Sequence, residues 1–487
     1  MKNKQDAIKG VKWTVIANGS RQIVSFGVFW LLARLLSPDV FGLVALASVY
    51  ISFLELFVSQ GLGMAIIQKK DLKDEHIDTA FWTSVFSGVV LFILTIVLSR
   101  PIAYLMGEIK LQPLLAVMAT GFIMISLSNI QSSILTRELK FKELAMRQVF
   151  GLIGGGVVGV VMALNQFGAW SLVGQQLTRS AINVATIWKV STWRPQFRYS
   201  RVYLKDLMSF SWAVFLSRLF TFFSSRGDQF VIGKVLGSSQ LGFYSVGQKL
   251  IQLLNLGIAN PITSVALPLL SRIQDDAQKM TKSIYNGIEI VALFSWPVYT
   301  LLLCTAPDVV QILFGEKWLQ AGNIVRVLIA GEIVRSLAVF SYPTFIAGGK
   351  PYFSMWVTGI KSVCIIGAAL AGLKWGLLGV AWGVNATVLF STFFSIAMMK
   401  KILPIRKSKI FKAISIPAVC SVVAAAGMII LECYYPKEFD VKLRIVFSIM
   451  VLMLLYIVAL RLVSSRLYNS AMDYIQRLYK RNNKKGL

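Results

Sequence analysis

Several basic side chains stand deep inside apolar stretches of this chain, where they are expensive. Arg21, Arg179, Arg218, Arg226, Lys249 and Lys361 each interrupt a hydrophobic run, and Arg326 and Arg335 do so in a further one. A cation at the centre of a membrane-spanning helix costs roughly 2.5–3.5 kcal/mol on insertion. Eight of them facing hydrocarbon would cost about 20–28 kcal/mol, more than a typical folding stability. They must therefore be paired, reach an interface, or line a watery cavity. Acids at comparable depth are fewer: Glu55, Asp228, Glu289 and Glu332. Glu332 and Arg335 are three apart on one helix face and read as a local pair. With every acid paired, about four cations stay uncompensated, and a cavity lined by them would take an anionic cargo. Arg21, Arg179, Arg218, Arg226, Lys249 and Lys361 are the candidates for that lining. Glu55, Asp228 and Glu289 read first as counter-ions and second as carriers of a coupling proton or sodium ion. Arg34 and Lys234, near helix ends, read as snorkelling side chains.

Other chemistry is poorly provided for. His76 is the single histidine and sits in a charged loop, so neither a Ser-His-Asp triad nor a His-based metal site is expected. Cys304, Cys364 and Cys420 fall in apolar stretches and Cys433 just outside one, which is no disulfide framework. Gly154-Gly155-Gly156-Val157-Val158-Gly159 matches a dinucleotide fingerprint formally but follows no strand. Gly151, Gly155 and Gly159 read better as a small-residue helix-packing face. No catalytic set, metal site or bound cofactor is expected; coupling to a proton or sodium gradient is the one inorganic requirement considered.

The elements that must position these cations follow from composition. Of 487 residues, 56% are hydrophobic, only 15% are charged, and the net charge is +28. Soluble chains carry roughly 25% charged residues, and the mean hydropathy of +0.67 is that of an integral membrane protein. Apolar stretches of about twenty residues recur from 13–36 to 443–462 with short polar breaks, which predicts about fourteen transmembrane helices. Alternate breaks hold 33 Lys and Arg against six in the others. That asymmetry places both termini in the cytoplasm and accounts for the charge excess without nucleic acid. Arg21 interrupts the first apolar stretch and no small-residue cleavage site ends it, so an uncleaved first helix is expected. The Asn260-Pro261, Trp296-Pro297 and Tyr342-Pro343 steps are expected to break helices within spans.

Two halves of the chain match. Arg34 to Gly42 lies over Lys234 to Gly242 at an offset of 200, sharing a basic residue, a Leu and the Gly that opens the next helix. Met106-Gly107-Glu108 lies over Phe314-Gly315-Glu316 at 208, with Pro101 and Pro307 upstream. The expected architecture is all-α and polytopic, with two six-helix bundles in a parallel repeat plus two C-terminal helices. Its divisions are a cytoplasmic tail (1–12), a first bundle (13–205), a second bundle (206–400), an additional helix pair (401–462) and a basic cytoplasmic tail (463–487).

Particular stretches resemble a known family. Leu32-Ala33-Arg34-Leu35-Leu36-Ser37-Pro38-Asp39-Val40-Phe41-Gly42-Leu43 and Gly61 to Lys69 are similar to the opening of polysaccharide-transporter flippases of the Wzx type. Arg137-Glu138-Leu139-Lys140-Phe141, Leu267-Pro268 with Ser271 to Asp276, and Leu313-Phe314-Gly315-Glu316-Lys317-Trp318 extend the resemblance across roughly residues 5–400. The nearest likeness is to colanic-acid and teichuronic-acid exporters, in the superfamily that also holds multidrug extruders and peptidoglycan-precursor flippases. The resemblance implies a multi-pass protein of the bacterial inner membrane that is not an enzyme. It would move an undecaprenyl-diphosphate-linked oligosaccharide between leaflets by alternating access, within two six-helix lobes around a cationic cavity. Membrane lipids, a polysaccharide polymerase and glycosyltransferases are the implied partners. A diphosphate is also the anion that the deep cations would suit. The alternatives are a drug extruder or peptidoglycan-precursor transporter of the same superfamily, or a non-transporting scaffold in a synthesis complex. A drug extruder would need acidic sites for cationic cargo, against the basic excess seen here.

Overall fold

The computed structural model describes residues 21–257, 265–432, 440–465 and 467–469. The Asn260-Pro261 step, Cys433, the N-terminal tail and nearly all of the basic C-terminal tail lie outside these residues. Among the described residues there is no strand. Residues 21–35 form α1, followed by α2 (Pro38–Ser59), α3 (Leu62–Gln68), α4 (Asp74–Leu105), α5 (Leu111–Met118), α6 (Thr120–Arg137), α7 (Phe141–Leu164), α8 (Ala169–Val190), α9 (Arg201–Val235) and α10 (Ser238–Gly257). Then come α11 (Ala266–Arg272), α12 (Ala277–Phe314), α13 (Leu319–Arg335), α14 (Ser341–Ala347), α15 (Tyr352–Gly372), α16 (Gly376–Met399), α17 (Lys407–Glu432) and α18 (Val441–Val463).

Among the described residues nine helical stretches are long and apolar enough to cross a membrane, and the chain is a multi-pass membrane protein. Fourteen spans were expected, and the difference has identifiable sources. The stretch Tyr352–Met399 counts once at 48 residues. At 1.5 Å per residue it would reach about 72 Å, over twice the roughly 30 Å hydrocarbon thickness. A 3₁₀ turn at Leu373–Trp375 divides it into α15 and α16. α8 carries Gln175, Gln176, Arg179 and Asn183, α10 is rich in Gln, and α13 has 17 residues, so each of these is too polar or too short to count.

The chain forms two compact units. One holds the described residues up to Ser245 together with Ile365–Leu377; the other holds Val246–Cys364 and the described residues from Leu378 onward. In the first, the apolar stretch 41–67 is divided between two helices, α2 and α3. Gln60 and Gly61 adopt φ of +41° and +73°, ending α2 and redirecting α3. A methyl on Gly61 would fall 2.7 Å from the Ser211 carbonyl oxygen, so glycine is required there on two counts. Leu62, Ala65 and Ile66 of α3 then pack with Phe81 of α4, Ile130 of α6 and Leu207 of α9. Arg137 closes the α3 end, donating to the carbonyl oxygens of Ile66 (2.8 Å) and Lys69. Asp206 of α9 receives Lys69 at 2.6 Å and His76 Nε2 at 3.1 Å, so the single histidine is a structural tie between α4 and α9.

The glycine face of α7 is a packing face. A methyl at Gly155 would lie 2.5 Å from the Gln175 carbonyl oxygen and one at Gly159 2.8 Å from Gln175 Cβ, so α8 sits directly on α7. Lipid tails are as apolar as Leu, so close approach and dispersion, rather than water exclusion, hold such helices together.

In the second unit α12 is the hub, contacting α13, α17 and α18. Asp276 caps its first turn, accepting from the backbone N–H of Gln278 and Lys279. The expected break at Trp296-Pro297 does not occur: α12 runs unbroken through Pro297 and Pro307. Pro297 has no N–H for the Leu293 carbonyl. The buried Tyr456 hydroxyl of α18 donates to that oxygen at 3.1 Å, supplying the missing partner. Leu293 also packs with Cys420, Ala424 and Met428 of α17 and Leu452 of α18, so the C-terminal pair is seated on α12. Tyr342-Pro343 likewise does not interrupt a helix but opens α14, where the N–H of a first-turn residue would lack an intrahelical partner anyway. The break precedes it, at the 3₁₀ turn Ser336–Ala338.

The repeat seen in the sequence has a structural counterpart in each match. Gly107 and Gly315 follow the last turns of α4 and α12 with φ of +74° and +98°. Pro101 and Pro307 lie inside those same helices.

Candidate functional site

α1, α7 and α8 bring two of the predicted cations together. Arg21 on α1 donates to Gln148 Oε1 of α7 at 2.6 Å. Arg179 of α8 is close enough to Arg21 for their charges to repel. Its place follows from the glycine face, since a methyl at Gly155 would meet Arg179 Cβ at 2.9 Å and one at Gly151 its carbonyl oxygen at 3.0 Å. Among the described residues neither arginine forms an ion pair. Asn183, one turn beyond Arg179, has a buried Oδ1 with no hydrogen-bond partner. Two guanidiniums with no ion pair among the described residues, flanked by amides, offer charge-assisted donors of the kind that suit an anion with several oxygen acceptors.

The cations on α9 are placed differently. Arg218 is exposed and donates to Ser59 Oγ of α2 at 3.3 Å. Arg226 donates to Gln229 Oε1 at 3.0 Å and interacts electrostatically with both Glu55 of α2 and Asp228. Asp228 is buried, at 1% exposure, and accepts hydrogen bonds from the Tyr244 hydroxyl and the Gln229 backbone. Arg226, Glu55 and Asp228 therefore form a compensated cluster, whereas Arg21 and Arg179 do not.

Beside that cluster lies an apolar cavity of about 500 Å³, walled by Tyr50, Phe53, Phe222, Phe223, Phe230 and Ile366. Its walls suit an alkyl segment. Lys234 is the one charged lining residue.

In the second unit Lys249 stands on α10, Glu289 on α12 and Lys361 on α15, all half-buried. Glu332 and Arg335 form the expected local pair, with Arg335 Nε 2.7 Å from Glu332 Oε2. The pair extends to Asn255, which donates to Glu332 at 3.0 Å and accepts from the Tyr299 hydroxyl at 2.7 Å. Arg326 donates to the Cys304 carbonyl at 2.9 Å. The amides Gln148, Asn183 and Asn255 escaped notice in the sequence because neutral groups leave no charge anomaly. Only Asn183, one turn beyond Arg179, had a position in the sequence that could have suggested it. Among the described residues no cluster of His, Cys, Asp and Glu is arranged to hold a metal ion.

The described structure is that of a helical multi-pass protein, and comparison with known proteins places it further. Residues 31–323 match the family described as "Polysaccharide biosynthesis protein", and the chain belongs to that family. It is 24% identical to the succinoglycan biosynthesis transport protein ExoT of Rhizobium meliloti, over 76% of this chain and 75% of that one. It is also 24% identical to the teichuronic acid biosynthesis protein TuaB of Bacillus subtilis, over 87% and 88%. Among solved structures, the fold is shared with the lipid II flippase MurJ in an inward closed conformation. That match has a TM-score of 0.78 at 14% identity and covers 93% of this chain and 99% of that one.

Proposed function

We propose that this protein is a flippase that carries an undecaprenyl-diphosphate-linked oligosaccharide repeat unit from the inner to the outer leaflet of the bacterial cytoplasmic membrane. The observation that carries this reading is the Arg21–Arg179 pair, two mutually repelling guanidiniums with no ion-pair partner among the described residues. A diphosphate would relieve that repulsion, because each planar guanidinium can donate two parallel, charge-assisted hydrogen bonds to phosphate oxygens. Arg218, Lys249 and Lys361 would add to the cationic path, and Arg226 would hold the Glu55–Asp228 cluster. The prenyl tail would remain in lipid. The names of the relatives, in succinoglycan biosynthesis transport and in teichuronic acid biosynthesis, agree with such a cargo.

Transport would proceed by alternating access, with both termini in the cytoplasm, an orientation supported by the 33-to-six distribution of basic residues. Glycosyltransferases would supply the cargo and a polymerase would consume it outside. Coupling to a proton or sodium gradient would use Asp228 or Glu289, with Glu55 as a further carboxylate. The chain itself would perform no bond chemistry.

The test is flipping of a labelled prenyl-diphosphate oligosaccharide in proteoliposomes. Arg21→Glu and Arg179→Glu should each lower the rate at least tenfold, while Arg21→Lys and Arg179→Lys retain more. Insertion and melting of the reversed variants should stay normal. Wild-type flipping by the double reversal would refute the reading.

A further inference from the structure

The segment between α8 and α9 is held in one shape against α4. Asp78 Oδ1 accepts from the Gln196 N–H at 3.1 Å, Thr79 Oγ1 accepts from the Ser200 N–H at 3.2 Å, and Trp82 Nε1 donates to the Gln196 carbonyl at 2.8 Å. Trp82 lies one turn from both Asp78 and Thr79, four and three positions on, so the three side chains reach the segment together. The Phe197 ring stacks on Trp82 at 4.7 Å between centroids and 21° between planes. The result is a cavity of about 500 Å³ lined by Trp82, Thr83, Phe86, Phe197, Arg198 and Tyr199.

Its aromatic walls are open to the surroundings: Phe197 is 92% exposed and Phe86 71%. Such exposure is tolerated where aromatic rings lie in a membrane interface. Arg198 is the one charged residue lining the cavity. Residues 189–205 contain Lys189, Arg194, Arg198, Arg201 and Lys205 and no Asp or Glu. Arg194 is committed to the carbonyl oxygens of Trp188, Ser191 and Trp193. Arg198 is half-exposed; Glu75 lies 3.9 Å away and Asp78 also interacts with its charge, at longer range than a direct contact, which leaves the guanidinium donors open to a phosphate. Above the cavity, Phe86, Val90, Ile93 and Val97 form an exposed stripe along α4.

We propose that this cavity binds an anionic phospholipid, with its phosphate on the Arg198 guanidinium and an acyl chain lying along Phe86, Val90 and Ile93. A free phosphate would leave the aromatic walls unused. A zwitterionic lipid would bring its own cation to a segment already holding five, so anionic headgroups are preferred there. The site lies on the segment joining the two sequence halves and is separate from the Arg21–Arg179 pair, so it does not depend on the flippase reading.

The experiment is native mass spectrometry of the full chain in detergent, titrated with phosphatidylglycerol or phosphatidylcholine. The wild type should retain one phosphatidylglycerol about tenfold more tightly than phosphatidylcholine. Arg198→Ala combined with Phe197→Ser should lose that preference, whereas Phe167→Ser, at a distant exposed Phe, should keep it. Melting in phosphatidylcholine micelles reports whether the double variant folds, and Arg198→Gln alone serves if it does not. Equal retention of both lipids, or an undiminished preference in the Arg198 variants, would overturn the proposal. Displacement of phosphatidylglycerol by equimolar undecaprenyl phosphate would also overturn it, by assigning the cavity to a prenyl cargo.

Discussion

Gly42 and Gly242 stand against one another at the first turns of α2 and α10, and each faces the carbonyl of the residue four before the other. A methyl at Gly42 would fall 1.6 Å from the Ser238 oxygen, and one at Gly242 would fall 2.0 Å from the Pro38 oxygen. The same two pairs, 38 with 238 and 42 with 242, are equivalent at the sequence offset of 200. The contact is therefore reciprocal between repeats: each repeat contributes the same glycine and the same carbonyl. Helices that approach this closely exchange Cα–H contacts with carbonyl oxygens and tolerate no side chain between them.

Substituting either glycine should be costly, and by similar amounts. Neither obstacle is a flexible side-chain tip, so the backbones must separate. Gly42→Ala and Gly242→Ala are each expected to destabilise the protein by roughly 1–3 kcal/mol, the usual range for overpacking. Thermal melting in detergent measures this, and wild-type melting of either variant would show that the crossing can open freely.

Adjacent glycines of α7 should behave differently. A methyl at Gly155 meets the Gln175 carbonyl at 2.5 Å and Arg179 Cβ at 2.9 Å. At Gly154 it meets only the movable end of Ile182, with Cδ1 at 2.3 Å. Gly155→Ala should displace Arg179 and reduce flipping at least several-fold, while Gly154→Ala should stay near wild-type. Transport rates of the two variants, side by side in proteoliposomes, decide the matter.

The Tyr456 hydroxyl should matter more than its size suggests. Tyr456→Phe keeps the ring in its apolar setting but leaves the Leu293 carbonyl, already deprived of a donor by Pro297, without a partner. An unsatisfied buried carbonyl costs about 1–3 kcal/mol. A second change, Pro297→Ala, restores the backbone N–H and should recover much of the loss. Melting temperatures of the single and double variants give the comparison.

Acid should loosen the start of α12. The Lys279 backbone N–H, reinforced by its ammonium group, holds the Asp276 carboxyl below the ordinary carboxylate range. A depressed value means the cap's contribution is complete above the unfolded value of about 3.9 and is lost as pH falls through the lower folded value. Hydrogen exchange at the Gln278 and Lys279 amides should therefore accelerate in acid beyond its intrinsic pH dependence. Asp276→Ala should be fast at neutral pH and show no such added step. Identical pH profiles for both proteins would remove the cap from the account.

The membrane class and the helical architecture were legible in the sequence because each reflects a local cost, and the deep cations stood out there for the same reason. Apolar runs of bilayer length leave few alternatives to helices, and a cation inside one is conspicuous wherever it falls. The Gly151–Gly155–Gly159 face and the Glu332–Arg335 pair were equally local, set by the helical repeat alone. Tertiary structure decided what depends on residues far apart in the chain. It distinguished Arg226, beside Glu55 and Asp228, from Arg21 and Arg179, whose charges repel and which form no ion pair among the described residues. It carried α12 through Pro297 because a tyrosine 159 positions later satisfies the orphaned carbonyl. Charge and hydropathy are properties of single residues and are read one position at a time. Compensation and hydrogen-bond satisfaction belong to pairs, and only the folded chain chooses the partner.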